Sequence, residues 1–499
     1  MSLPSRRPSP QGRAAVLAVP LLALVVGLLA APALTGGAQA RPRAATSVRS
    51  EAAVVDSVAW LERRVGDSTH LVNAPSRRAK VRVVLPARSP QSGKAGKKAT
   101  GKRVRWVTRS VPGPAYPSLS VDVAMALRRL DPGDGTRLAM VKALQAPSRR
   151  YVHYREGELQ GRYAEATARM VYLAATSGLR LSSYADGRLR RSLAGMIYQV
   201  ERSPQRGRVM DSGWGGDTSD TISQAWAVQA LAAVHSRSLP IVARFLARQA
   251  CPAGHFRPML DSADYTCKGS TEMRNRISSV DSTAMAILAL RAARSQGVRH
   301  LGDEIVAASR WLARQVGPNG GVAEDEGQPV NARSTALAAI ALKATGRLGP
   351  AGNAATWLLR HQVDDRMIKH HPVLRGQRGA IAWSRRALVR AQRVGITRAT
   401  RKSWVQSTSL AAPGLTALLP ERTLGVSATR WHRKLLVRLS GLAVGERYAL
   451  ERDGKVVASG TAGARGRVQV VLRATRRTTR LVAFGNRKGR AGVTVVSSR

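Results

Sequence analysis

Hydrophobic positions recur along most of this chain at helical spacing, in pairs of segments separated by glycine turns. Phe245-Leu246-Ala247-Arg248-Gln249 ends one apolar-periodic run and Trp311-Leu312-Ala313-Arg314-Gln315 ends another. In each case a glycine, Gly254 or Gly320, follows the glutamine by five positions. An alanine-rich run opened by small polar residues comes next, at Asp281-Ser282-Thr283-Ala284 and at Arg333-Ser334-Thr335-Ala336. Ser, Thr or Asp ahead of such a run supplies oxygen for the orphan amides of a helix start, so Asp281 is expected to serve as a cap. Gly215-Gly216 followed by Gln224-Ala225-Trp226-Ala227 fits the same scheme. Ser407-Thr408 is a worn last copy and Trp60-Leu61-Glu62-Arg63-Arg64 a worn first one. Trp357-Leu358 opens a further helix of the outer type. A helix pair of this kind cannot bury its apolar stripe alone, so the pairs must stack.

The periodicity lapses in two places. Residues 75–110 hold Arg77, Arg78, Lys80, Arg82, Arg88, Lys94, Lys97, Lys98, Lys102, Arg103, Arg105 and Arg109 and no acid. Mutual repulsion and scarce apolar surface predict a disordered basic insertion, with room for one short strand at Val81–Leu85. The segment from Arg366 to Arg378 reads as irregular. Elsewhere Val54–Val65, Val121–Leu130 and Arg162–Ala175 are predicted helices, with Asp131–Gly135 as a break. From Thr423 the period becomes two. Strands are expected at Lys434–Leu439, Arg467–Leu472, Arg480–Phe484 and Ala491–Val496. Tyr448–Arg452 and Lys455–Ser459 form a hairpin across Asp453-Gly454.

The stretch Gln249-x4-Gly254-x-Phe256 and its echo Gln315-x4-Gly320-x-Val322 resemble degenerate forms of the Q-x-x-x-x-G-x-W repeat of squalene cyclases and protein prenyltransferases. The chain is similar to secreted bacterial proteins that carry this prenyltransferase/squalene-oxidase repeat. The resemblance covers about 54–419 and implies a mainly α fold, an α/α toroid of helical hairpins with inner helices ringed by outer ones. Residues 420–499 are then a small β-sandwich-like domain, 41–53 a linker, and 1–40 a signal peptide. The last assignment rests on Arg6, Arg7 and Arg13 ahead of an apolar Ala14–Leu34 and on Ala38-Gln39-Ala40 as a cleavage site, with a retained anchor as the alternative.

Export bears on the two cysteines. In an oxidising compartment Cys251 and Cys267 are expected to form a disulfide. Zinc is the alternative, but it needs four ligands, and His255 is the one further soft candidate nearby. No cofactor and no metal site are expected. His361, His370 and His371 lack an acidic or cysteine partner at helical spacing, and Glu324-Asp325-Glu326 reads as a solvated turn.

The resemblance also sets a test of activity. Class II cyclases use an Asp-x-Asp-Asp motif, of which Asp364-Asp365 is the nearest trace here, and they line their cavity with aromatic rings that stabilise cations. Three Phe, nine Trp and nine Tyr leave little for such a lining. Protein prenyltransferases need Asp, Cys and His on zinc, and the two cysteines are better explained by a bridge. Terpene cyclase and prenyltransferase activities are therefore not expected. A polysaccharide lyase or other glycan-active enzyme on an acidic substrate is the remaining catalytic reading, with Tyr151, His153, Tyr154 and Arg155 supplying suitable side chains. The first reading is a non-catalytic, secreted or envelope-associated protein that binds a small ligand in the ring centre or an envelope polyanion.

Charge supports the polyanion. The formal net charge is +51, which draws wall polymers, acidic glycans and anionic lipid surfaces to the protein. Arg77, Arg78, Lys94, Lys97, Lys98, Lys102, Arg103 and Arg105 are the expected contacts. With Trp106 alone among them there is no aromatic ladder, so sequence-specific nucleic acid binding is not expected.

Overall fold

The computed structural model describes residues 40–74, 77–85, 103–111, 113–131, 135–156, 159–213, 216–260, 266–267, 277–419, 425–442, 447–452, 455–463, 467–475, 479–485 and 491–496. Arg43–Arg499 form one compact unit and Met1–Pro42 another. Apart from Ala40, the expected signal peptide lies outside the described residues.

The described chain opens with α1 (Ala40–Glu62), a ribbon of β1 (Arg77–Leu85) and β2 (Arg103–Val111), and α2 (Pro117–Leu130). Next come α3 (Gly135–Ala143), α4 (Ser148–Val152), β3 (His153–Glu156), β4 (Leu159–Arg162), α5 (Ala164–Ala175) and α6 (Leu189–Gly195). A short β5 (Ser212–Gly213) joins β3 and β4 in one small sheet. Then α7 (Thr221–Ala233), α8 (Leu239–Arg248), α9 (Val280–Ser295), α10 (Gly302–Arg314), α11 (Ala332–Ala344) and α12 (Leu348–Arg360) alternate between two layers. α13 (Asp365–His370), α14 (Arg385–Val394) and α15 (Arg401–Ala411) complete the helical part.

The inner layer closes on itself. α2 packs on α5, α5 on α7, α7 on α9, α9 on α11, α11 on α15, and α15 returns to α2. That ring, with α3, α6, α8, α10 and α12 each set against the inner helix before it, is an α/α toroid. The sequence explains the layering. α7 and α9 bury residues all round their circumference, as a helix enclosed by protein must, and their alanines let neighbours approach. α14 buries only Leu388 and Ala391, on one stripe, and presents arginines elsewhere.

One turn geometry repeats around the ring. Gly254 and Gly320 adopt φ +98° and +89°, where an L side chain is strained. A Cβ on Gly320 would lie 2.1 Å from the Asn353 carbonyl oxygen and 3.3 Å from the Trp357 Cβ. Gly254 meets Ala307 and Trp311, Gly207 meets Ile241 and Phe245, and Gly379 meets the Asp56 carbonyl. Each glycine thus seats its turn on an outer helix, one turn ahead of a buried aromatic residue. Two residues later the backbone N–H turns inward to an inner helix. Phe256 donates to Thr283 Oγ1, Val322 to Thr335 Oγ1, Ile381 to Thr408 Oγ1 and Val209 to Gln224 Oε1. The copy anchored on Gln224 therefore uses Gly207, not the expected Gly215-Gly216; Gly216 has open space about it.

Three expectations are corrected. Residues 41–53 are not a linker: they are the first half of α1, where Ser50, Glu51 and Ala53 become buried. Alanine at 44, 45, 52 and 53 favours helix, and tertiary burial holds it. The insertion at 75–110 is not disordered throughout, since β1 and β2 pair antiparallel from Arg77↔Val111 to Leu85↔Arg103. The high strand preference of Val81, Val83, Val84, Val104, Trp106, Val107 and Thr108 outweighs the charge repulsion there; residues 86–102, with Lys94, Lys97, Lys98 and Lys102, lie outside the described residues. Within 366–378, Asp364 caps α13 through Met367 N–H, and Pro372–Leu374 add a 3-10 turn.

Beyond the toroid lie β6 (Gly425–Trp431), β7 (Lys434–Ser440), β8 (Arg447–Arg452), β9 (Lys455–Thr461), β10 (Val468–Arg473), β11 (Thr479–Gly485) and β12 (Ala491–Val496). They form two antiparallel sheets, ordered β10-β7-β6 and β12-β11-β8-β9. Leu435, Val437 and Leu439 on β7 alternate inward to join Leu450 and Leu481 of the other sheet in one apolar cluster.

Candidate functional site

The starts of the inner helices gather polar groups at one end of the ring. A cavity of about 500 Å³ opens there, bordered by Ser118 before α2's second turn, Arg150 and Tyr151 of α4, Tyr163 and Glu165 at the start of α5, and Asp220 at the start of α7. Helix starts need acceptors for their free amides, which brings carboxylates to this end. Most of those carboxylates are engaged in holding the fold. Asp211 accepts from Ala164 N–H at 2.6 Å and from Thr218 Oγ1 at 2.6 Å. Asp217 binds Arg208 at 2.6 Å and also takes Asp211 N–H. Asp122 pairs with Arg169 across α2 and α5. Asp220 caps α7, its Oδ1 accepting from Ser223 N–H and Oγ, each at 2.7 Å.

Glu165 differs from these. Its one ion pair among the described residues is a loose 3.5 Å approach to Arg169, itself engaged by Asp122, and its side chain is 39% exposed toward the cavity. Burial pushes the Glu165 carboxyl above the usual carboxylate range; Arg169 opposes this and Asp220 adds to it. Burial likewise raises the Tyr151 phenol, against the pull of Arg169. Desolvation works against the Arg169 charge, but Tyr151, Asp122 and Glu165 together hold it protonated. The cavity therefore places Glu165, with its carboxyl shifted upward, and the Tyr151 phenol beside Arg150. Tyr163 is 42% exposed, and its ring lies 5.0 Å from that of Tyr154.

A second polar cluster continues the same end of the ring. Asp281 is not the cap of α9: Ser279 is, accepting from Ser282 N–H, and Asp281 lies in the first turn. Its fully buried carboxylate meets Arg333 Nε of α11 at 2.9 Å. Burial raises Asp281, with Arg333 and Ser334 opposing. Glu324 is raised by burial and by Asp281, with Arg333 opposing, and its backbone carbonyl accepts from Val280 N–H at the start of α9.

The other expected residues are dispersed. Cys251 and Cys267 are bonded, with Cα atoms 4.9 Å apart. Their sulfurs form, with His255, the one metal-capable group found among the described residues, and the bridge accounts for both. His361 stacks on Trp357 at 3.5 Å and does not join His370 or His371. Asp365 pairs with Arg378, away from the cavity. Of the proposed lyase side chains only Tyr151 reaches the mouth, while His153 bonds Arg162. Arg77, Arg78, Arg103 and Arg105 lie in the β1–β2 ribbon. A larger groove of about 1090 Å³ runs outside the ring between α8 and α10. Its Arg248 is occupied with the Pro204 and Arg206 carbonyls, so that wall serves the fold.

No family model and no curated protein matches this chain. Among solved structures it is similar to a protein from Actinoplanes, at 18% identity and TM-score 0.44, covering 74% of this chain and 99% of the other. It is also similar to a type II terpene cyclase from Scytonema in complex with geranylgeranyl dihydroxybenzoate, at 14% identity and TM-score 0.42, covering 75% and 99%. A structure described as a glycosidase matches at 15% identity and TM-score 0.43, covering 75% and 98%. The chemistry of the mouth is set by this chain's own residues.

Proposed function

We propose that this protein is an exported toroid that takes a saccharide in the mouth of its inner ring and holds an envelope polyanion on its basic exterior. The observation that carries the first part is the composition of the mouth cavity. Ser118, Arg150 and Glu165 can exchange hydrogen bonds with hydroxyl groups, and the exposed Tyr163 ring offers a face to the C–H surface of a sugar. A terpenoid would need an apolar lining, and a cavity with two arginines and three carboxylates is poor in that respect. In this reading the resemblance to secreted proteins with the prenyltransferase/squalene-oxidase repeat extends to location and architecture, and the two C-terminal sheets act as a sandwich-like accessory module.

Titration of the full-length protein with neutral, amino-bearing and acidic oligosaccharides tests this directly. Trp226 sits edge-on to Tyr172 at 5.6 Å, with Arg169 over its ring, and should report binding through its fluorescence. Arg150→Ala is expected to weaken binding about tenfold, the equivalent of one charge-assisted hydrogen bond. Unchanged affinity would place the ligand elsewhere.

The polyanion is proposed to bind through the basic 75–110 segment. Arg77, Arg78, Lys80, Arg82, Arg103, Arg105 and Arg109 all lie along the antiparallel β1–β2 ribbon. Duplex DNA of arbitrary sequence serves as a stand-in polyanion. Deleting 75–110 should flatten the log–log salt dependence by about 0.9 for each phosphate that the protein no longer neutralises. A slope unaffected by the deletion would assign the binding to other parts of the surface.

A further inference from the structure

The C-terminal sheet β10-β7-β6 has an outer face that the apolar core does not use. Leu435, Val437 and Leu439 of β7 point into the cluster shared with the other sheet, so the alternate positions face outward. Register sorts these outward positions into rows. Trp431, Lys434 and Arg473 stand side by side across β6, β7 and β10. Thr429, Leu436 and Val471 form the next row, and Ser427, Arg438 and Gln469 the third. Neighbours in one row lie about 5 Å apart at Cβ, and rows follow one another at about 7 Å along the strands. Apart from the half-buried Leu436 all of these side chains are exposed, and none is acidic. Among the described residues no large apolar side chain is more exposed than Trp431, at 67%. The platform is also fixed in place. His432 takes φ +51° in the turn that joins β6 to β7, and its ring lies 5.6 Å from that of Trp431. The Arg433 carbonyl accepts from Ala474 N–H at 2.8 Å and Arg430 donates to the Thr475 carbonyl, which ties the turn to the end of β10. A solvated strand face needs only polar residues, whereas an exposed indole and valine set among three cations suit a surface that another molecule covers.

We infer that this face binds a strand of acidic polysaccharide, with Trp431 stacked on a sugar ring and Lys434, Arg473 and Arg438 paired with the anionic groups. This rests on the polyanion half of the proposal above, and it names the polymer and a second place where it is held. An indole offers a flat apolar surface to the C–H side of a pyranose ring. Guanidinium groups donate in a fork to carboxylate or sulfate oxygens, and the lysine adds a point charge. Lys434 and Arg438 are four residues apart on β7, which sets their charges about 14 Å apart. A chain with repeated acid groups reaches both, whereas a small anion reaches one. The uncharged row of Thr429, Leu436 and Val471 between them is where the sugar backbone rests. A lipid surface would instead favour apolar side chains projecting from one end of the module. Here the turn carries His432 and Arg433, and Leu436 and Val471 lie in the middle of the face. The mouth takes a sugar and this face takes the acidic polymer, so the two are separate sites.

The experiment uses the full-length protein and measures binding of dextran sulfate and of inorganic polyphosphate by calorimetry at one fixed ionic strength. Unsubstituted dextran carries the same sugar without the charge and accounts for any binding in the mouth. Wild type is expected to bind both polyanions. Trp431→Ala should weaken dextran sulfate about fivefold and leave polyphosphate, which has no ring to stack on, within about twofold. The double variant Lys434→Ala/Arg473→Ala should weaken both polyanions about tenfold. Arg310→Ala/Arg314→Ala removes the same charge from exposed positions of α10 and should change neither by more than about twofold. Equal losses in the two double variants would reduce the effect to net charge and overturn the inference. A Trp431→Ala loss that is absent, or equal on both polyanions, overturns it as well. Deleting 75–110 should leave dextran sulfate binding that still depends on Trp431. Polyanion binding that vanishes with the deletion excludes the face and leaves the polyanion reading intact, whereas no polyanion binding by wild type removes both. Vesicles of phosphatidylglycerol in phosphatidylcholine test the other occupant: a Trp431→Ala loss on vesicles with none on dextran sulfate makes this a lipid contact. Melting temperatures at or near wild type, expected for exposed positions, separate these outcomes from misfolding.

Discussion

Replacing Trp60 by alanine is expected to lower the free energy of unfolding by about 4 kcal/mol, the middle of the range for a buried tryptophan. The side chain is fully buried. Its Nε1 donates to Gln377 Oε1 at 3.1 Å, and Arg64 stacks over the ring 4.6 Å from its centre while donating to the same oxygen at 2.9 Å. The cavity term is only part of the effect. α1 is the outer helix on which the Gly379 turn rests, so it joins the first described element to the last repeat. Gln362 Nε2 donates to Ala53 O at 2.7 Å and to Ser57 Oγ at 2.8 Å, and Arg378 pairs with Asp56 at 2.9 Å. Loosening α1 therefore frees the 362–379 segment as well. Urea unfolding of the variant should show the shift, and native-state hydrogen exchange should show 362–382 opening before α9. A loss under about 1 kcal/mol would mean that α1 is a dispensable appendage.

The second large effect is at the Asp281–Arg333 pair. Arg333→Ala leaves a fully buried carboxylate without its partner, for which a loss of about 4 kcal/mol at neutral pH is expected. Asp281→Asn removes the buried charge and should be much milder. The loss should depend on pH in a defined direction. Burial raises the folded pKa of Asp281 above its unfolded value, and removing Arg333 raises it further. Such a group costs nothing below its unfolded pKa, where both states are protonated, and the cost grows as pH rises through the folded value. The deficit of Arg333→Ala should accordingly be small near pH 4 and larger at pH 7. A deficit that grows on acidification would show that the pair is not what holds α9 to α11.

The sequence carries the layering of this fold better than it carries the site. Gln249-x4-Gly254 and Gln315-x4-Gly320 are readable because the turn needs glycine against an outer-helix carbonyl, and Thr283 and Thr335 because a β-branched hydroxyl can reach both a turn amide and its own helix. Other copies keep the geometry with different residues. Gln224 replaces the threonine opposite Val209, and Ser120 receives Val72 N–H after His70, a non-glycine residue at φ +52°. A search by residue type misses them because the requirement is an acceptor and a backbone angle, not a particular side chain. Residues 41–53 and the strands 77–85 and 103–111 are obscured in a different way: scattered arginines hide a helix that tertiary burial stabilises and a ribbon built on strand-favouring valines.

The mouth has almost no signature in the sequence. Glu165 and Arg169 stand four apart in an alanine-rich run, like any surface helix pair. What sets Glu165 apart is that Asp122, forty-odd positions earlier in the chain, takes the better share of Arg169, and that closing the ring encloses the cavity beside it. Asp281 reads as a cap because capping is the commonest task for Asp ahead of an apolar run, and Ser279, two residues earlier, holds that place.

The central claim, that the ring mouth is the ligand site, is tested most directly by hydrogen–deuterium exchange of the full-length protein with and without a saturating saccharide. Slowed exchange is expected at 163–169 on α5 and at 218–224 around the start of α7, with the outer groove around 241–251 and the C-terminal sheets unchanged. Protection confined to that groove or to those sheets, with the mouth unaltered, would contradict it.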